Sequence, residues 1–182
     1  MRPQSSGSKK DQSAARTELQ DPRPKAVLSA DVVLGQLAIK RVQTDQGRPI
    51  GRIQVEVEET LGHYAEWLEV SASEIRRLNG LRYGRPIRIN DSIKIPLGRV
   101  TKEVFEEKRF EFHKELAEDF FASFRIEKVQ TYTVRRGDNI WTLSTEKFEV
   151  PLWLIKKYNA HLNFSALHPS QKLVIPIIEK IT

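Results

Sequence analysis

With 182 residues, 39% hydrophobic and 30% charged, the chain has room for one medium domain or two small ones with modest cores. No apolar run reaches the roughly eighteen residues of a membrane-spanning helix, and the absence of cysteine excludes disulfides and thiolate metal sites. The net charge of +6 is uneven, since 103–119 holds seven acids against three bases and leaves a basic remainder suited to anionic partners.

Residues 1–26 are polar and rich in Ser, Gln and Pro. They bury too little apolar surface to offset ordering entropy, so a disordered tail or linker is expected. The apolar stretch "AVLSADVVLGQLAI" is interrupted by Asp31 and Gln36. It lies too far in, and lacks the charged lead and cleavage pattern, for a signal peptide. The expectation is a cytosolic chain or one whose leader or anchor is missing. "TDQGRP" is turn-forming, and Ile53, Val55 and Val57 alternate with Gln54, Glu56 and Glu58. This predicts a β-hairpin across 36–57, within a hairpin element over 27–52 and a following unit over 53–97.

Further on, "TKEVFEEKRFEFHKELAEDFFASF" places Phe105, Phe112, Leu116 and Phe120 at helical spacing among charges. The region 98–131 is therefore predicted to be an amphipathic helical connector. Its stripe is a packing face, with 104–124 available to a protein partner. His113 sits among the charged residues and is given no chemistry.

The chain then repeats itself. Residues 53–96 and 132–176 align, with a constant offset from Val70/Val150 onward: Ile75 matches Ile155, Asn79 matches Asn159, and "SIKIP" matches "KLVIP". A duplication defines the folding unit. Here the unit reads strand, helix, helix, strand. In the second copy, Ile140, Leu143, Ser144 and Phe148 form one buried helix side and Leu154, Ile155 and Tyr158 the other. Asn79 and Asn159 end the second helices, where a left-handed conformation is expected. The fold class is α+β: two βααβ modules joined by the helical connector and preceded by the hairpin.

"YTVRRGDNIW…LIKKYN…SQKLVIP" resembles the lysin motif, LysM, and the second module, 132–178, matches nearly every landmark of that family. Ser170 stands where the family has Gly. The first copy keeps the helices, the Asn and the last strand but has Glu58-Glu59-Thr60 at the corner. The resemblance implies binding of N-acetylglucosamine-containing glycan, peptidoglycan or chitin-like. It implies a groove with Gly137, Asp138, Asn139 and Ile140 on one wall and Asn159, Ala160, His161 and Leu162 on the other. Architectural roles compete at the same positions: Asp138 or Asn139 as helix N-cap, Gly137 as turn former, Asn159 as cap. Trp141 and Trp153 are read as packing residues. Glu58 and Glu59 are expected to disfavour acidic glycan by repulsion, leaving the first copy weakly binding or structural.

No nucleophile elbow, phosphate loop or metal-ligand spacing among His63, His113, His161 and His168 is present, so a non-enzyme without metal or cofactor is expected. No nucleic-acid recognition motif occurs, and no nucleic acid is expected as a partner. The resemblance thus implies a wall-glycan binder of the periplasm or cell envelope, held by an anchor absent from this sequence. An alternative from another class is an intracellular, phage or spore structural adaptor.

Overall fold

The computed structural model describes residues 37–181. The tail expected over 1–26 and the start of the hairpin element lie outside the described residues.

Strands β1 (Arg41–Asp45) and β2 (Arg48–Gln54) form the expected hairpin, in register from Arg41↔Arg52 to Asp45↔Arg48. Gln46 and Gly47 at its tip both have positive φ, 48° and 76°, the turn hand that matches strand twist. β2 pairs along its other edge with β3 (Ser92–Pro96), through Ile53↔Ile93 and Gln54↔Ser92. The hairpin is therefore no separate preceding element, because its second strand is also the first strand of the first module. Between β2 and β3 run α1 (Leu61–Trp67) and α2 (Ala72–Leu78). Their Leu61, Tyr64, Trp67 and Ile75 close over Ile53, Ile93 and Ile95 in one buried cluster.

Helix α3 (Lys102–Ser123) starts at Thr101, whose Oγ1 accepts from the Val104 N–H at 3.3 Å. One apolar side serves two cores. Phe105 and Phe112 pack on the first module, and Phe120 and Phe121 pack on the second. The face expected to receive a protein partner at 104–124 is thus occupied by the chain's own modules. The stripe also contains a residue whose charge assigns it to solvent: Arg109, fully buried. Its Nε and Nη2 donate to Glu59 at 2.5 and 2.7 Å. Its Nη1 donates to the Leu37 carbonyl at 2.8 Å and Nη2 to that of Gln54 at 2.6 Å.

At Phe124 the chain turns extended, and the stretch expected to continue the connector becomes β4 (Phe124–Thr133). The alternating, β-branched "FRIEKVQTYT" pairs with β5 (Lys172–Lys180) from Phe124↔Lys180 to Thr133↔Lys172, with a bulge at Ile126/Lys128. Helix α4 (Ile140–Thr142) runs into a π turn, Leu143–Lys147, and α5 (Leu152–Tyr158) follows. Leu143, Leu154, Ile155, Leu173 and Ile175 form the second core. Trp153 packs as expected, 5.4 Å from the Phe120 ring at 90°.

The duplication holds at the level of single hydrogen bonds. Asn79 Nδ2 donates to the carbonyls of Ile75 and Lys94 at 2.9 and 2.8 Å, and its Oδ1 accepts from Lys94 N–H at 2.7 Å. Asn159 does the same with Ile155 and Val174 at 2.7, 2.7 and 2.8 Å. Neither Asn is left-handed, with φ of −105° and −132°. The side chain does the work instead, tying the second helix to the last strand. Left-handed positions do recur in matching pairs elsewhere, Glu69 with Glu149 and Asn90 with Ser170, both of the latter at φ 71°, while Gly80 next to Asn79 has φ 62° without a counterpart.

Candidate functional site

In the second module the corner closes on itself. The Asp138 N–H donates to the Arg135 carbonyl at 3.2 Å, and Asp138 Oδ2 accepts from Arg135 N–H and Tyr132 O–H, each at 2.7 Å. The Arg135 N–H bond and then the Tyr132 hydroxyl hold this carboxyl below its ordinary range. Lys147 extends the chain of contacts, donating to the Tyr132 hydroxyl at 2.9 Å with its Nζ 4.2 Å from that ring's centre. Gly137 has φ 92°, and a Cβ there would meet nothing within 4 Å. Its glycine serves backbone conformation while its surface stays open. Asn139 is the N-cap: Oδ1 accepts from Thr142 N–H at 2.9 Å. Ile140 leans on the core.

Asp138 and Asn139 therefore spend their side chains on the fold, and the corner's free chemistry lies in exposed backbone and in the next residue. Trp141 is 63% exposed. This corrects its reading as a packing residue. The signal was present in the spacing, since the buried helix positions Leu143 and Ser144, with Ile140 beside them, turn Trp141 outward.

On the other wall, Asn159 is fully buried and its amide is committed, so its side chain is unavailable to a ligand. Ala160 and His161 are exposed, and Leu162 is half-buried against the core that also receives Ile140. Ala160, His161, Leu162 and Asn163 line a cleft of about 500 Å³. Its opposite side is the first module, through Lys40, Gln54, Glu56 and Asn90. Gly137, Asp138, Asn139 and Ile140 are not among the residues lining it. A buried ion pair from Lys156 Nζ to Glu56 Oε2 joins the modules there, helped by Ser165 Oγ donating to the Ile89 carbonyl at 3.4 Å.

The first module keeps the corner's backbone and changes its side chains. Glu58 has φ 65° where Gly137 has 92°. Glu59 Oε2 accepts from Glu56 N–H at 2.7 Å as Asp138 does from Arg135, and Thr60 caps α1 through His63 N–H at 3.2 Å. Glu59 is buried, with Tyr64 O–H at 2.5 Å and His113 Nε2 at 3.0 Å beside Arg109. Burial pushes its carboxyl up, but the bonds from His113 and Arg109, the Arg109 charge and the Tyr64 hydroxyl outweigh it, holding it at about 2. The expected repulsion of acidic glycan by Glu59 thus fails, because this charge is neutralised inside the protein. At the position of Trp141 the first copy has Gly62.

Among the described residues no cluster of three or more His, Cys, Asp or Glu side chains could hold a metal, and no helix is long and apolar enough to cross a membrane.

Two strand–helix–helix–strand units, each tied from helix to last strand by an Asn side chain and opened by a capped polar corner, define a tandem small-module protein of the α+β class. The family follows from the same residues: the LysM domain matches 54–96 and 132–176, and the chain carries two tandem LysM domains. LysM domains are modules that bind N-acetylglucosamine-containing glycans such as peptidoglycan. Among solved structures, the Bacillus cereus spore cortex-lytic enzyme SleL is 20% identical, matched over 70% of this chain and 23% of that one, with a TM-score of 0.25. The Bacillus megaterium QM B1551 spore cortex-lytic enzyme SleL is 21% identical over 69% and 22%, with a TM-score of 0.24. The chain thus spans less than a quarter of those proteins' length. No curated protein sequence matches the chain.

Proposed function

We propose that this protein is a non-catalytic binder of cell-wall glycan, acting at the wall or in the periplasm, with its contact surface in the second LysM domain. The observation that carries this reading is Trp141, 63% exposed directly after the open corner at Gly137. An exposed indole offers a flat apolar face to a pyranose ring, and backbone groups around Gly137 and the exposed loop at Ala160 and His161 are free to bond its hydroxyls and N-acetyl group. The first domain has Gly62 at the same place and has turned its corner acid inward, so its own corner offers no such platform.

The test is co-sedimentation of the full chain with purified peptidoglycan sacculi, comparing wild type with Trp141→Ala. Wild type is expected in the pellet at moderate salt and the variant in the supernatant. Since surface charge pairing is screened within about 8 Å at physiological ionic strength, raising salt should weaken a sugar contact only slightly. If the whole chain ignores both sacculi and chitin oligomers, the structural-adaptor reading takes its place.

A further inference from the structure

We propose that the cleft between the two LysM domains is itself a glycan site, and that it favours amino-sugar chains bearing a carboxylate over neutral ones. This rests on the wall-glycan reading and adds the residues that would sense charge. At about 500 Å³ the cleft falls within the range of small-ligand sites, roughly 300–1,000 Å³. Its walls come from different domains yet are fixed to each other. Lys156 and Glu56, their side chains only 10% exposed, pair across the junction. The pairing exists at this junction alone, since the residues equivalent to Glu56 and Lys156 in the opposite copies are Arg135 and Arg76, which are both basic. The two domains therefore meet in one order and present one composite cleft.

The lining suits a charged sugar. Gln54 Nε2 and Asn90 Oδ1 lie 3.4 Å apart, and with Asn163 they offer donors and acceptors to hydroxyl and N-acetyl groups. Leu162 supplies apolar surface for a methyl. Glu56 is spent on Lys156. Lys40 is bonded to the Gln54 side-chain oxygen and has no carboxylate within 4.0 Å among the described residues, so the cleft carries a surplus cation. A neutral sugar offers that ammonium a hydroxyl. A carboxylate adds an opposite charge, and an exposed ion pair is worth up to about 1 kcal/mol, or about fivefold in affinity. Peptidoglycan carries such groups on its stem peptide, or on the lactyl ether where that peptide has been removed; chitin carries none.

Calorimetric titration of the full chain with three ligands separates the possibilities: a chitin tetramer, a peptide-stripped peptidoglycan tetrasaccharide, and a peptide-bearing muropeptide. Wild type should bind a carboxylate-bearing ligand about fivefold more tightly than the chitin tetramer, the upper range for one exposed ion pair. A preference seen with the stripped tetrasaccharide assigns the lactyl carboxylate, and one seen only with the muropeptide assigns the peptide's. Lys40→Gln should bring the ratio to parity, and Lys40→Arg should keep it. Equal binding of all three by wild type, with Trp141→Ala still destroying it, overturns the cleft assignment and leaves the wall-glycan reading standing. A preference untouched by Lys40→Gln also overturns it. Binding of none of the three overturns both readings.

Discussion

Replacing Arg109 by Met removes the central cation of the first domain while keeping most of the side-chain volume. The change strips Glu59 of two bonds, at 2.5 and 2.7 Å, and leaves the Leu37 and Gln54 carbonyls without their donors. Breaking a buried pair by removing one partner costs about 3–5 kcal/mol, because the remaining charge stays buried. Tyr64 O–H and Glu56 N–H still bond Glu59, so about 3 kcal/mol is the expected loss. Urea unfolding followed by tryptophan fluorescence reads it, since Trp67 sits in this core 6.1 Å from Phe105. The double variant Glu59→Gln/Arg109→Met, which leaves no ion in the site, should recover most of the loss. The pH dependence gives an independent check. A carboxyl held at about 2 instead of 4.5 contributes stability that is present above 4.5 and lost as pH falls through 2. At ~1.4 kcal/mol per pH unit this amounts to on the order of 3 kcal/mol, and the double variant should lack that acid limb. A loss below about 1 kcal/mol in Arg109→Met, the range of an exposed pair, refutes the claim that this pair holds the helix to the domain.

Trp141→Ala should leave the melting temperature unchanged and weaken sacculus binding about tenfold, corresponding to ~1.4 kcal/mol; a fall in melting temperature would make Trp141 a packing residue after all. Ser170→Gly relieves a non-glycine residue at φ 71° and should stabilise by about 1 kcal/mol, whereas Asn90→Gly at the same φ should gain less because Asn tolerates this region. Thermal melting of both variants orders them. Asn79→Ala and Asn159→Ala each remove three bonds at one end of a module and should each cost about 2–3 kcal/mol in urea unfolding. A silent variant at either position contradicts the equivalence of the two copies.

The repeat was legible because its landmarks carry physical necessity. Asn79 and Asn159 close each unit, and the alternation in "SIKIP" and "KLVIP" buries one strand face. Their mechanism was less legible, since an Asn at a helix end suggests backbone conformation when the bond runs from its side chain to a strand fifteen positions on. Arg109 was hidden by a sound default: a charged residue in a charge-rich helix belongs to solvent. Its partner, Glu59, lies fifty positions earlier, at a corner whose departure from the family reads as degeneracy. Strand pairing failed to show for a related reason. Alternation marks β2 as a strand but says nothing of its second edge, so the hairpin and the first module read as neighbours. Trp141 was readable from helical phase and was outweighed by the general habit of aromatics to pack.

The two corners show how one backbone supports two jobs. Both have a left-handed residue, a carboxylate closing the turn on the N–H three positions back, and a cap on the next helix. Glu59 is one methylene longer than Asp138, and that length carries its carboxylate inward to Arg109 while its other oxygen still closes the turn. The same substitution therefore withdraws the first corner's carboxylate from the surface and fastens it to α3. Glu56, whose N–H donates to Glu59, holds Lys156 of the second domain through its own side chain. A continuous run of polar contacts thus passes from α5 of the second domain, through the first corner, to the connector between them. Loosening Glu59 should disturb more than its own core: the seat of Lys156 shifts with it, and with that seat the loop at Ala160 and His161 on which the second wall depends.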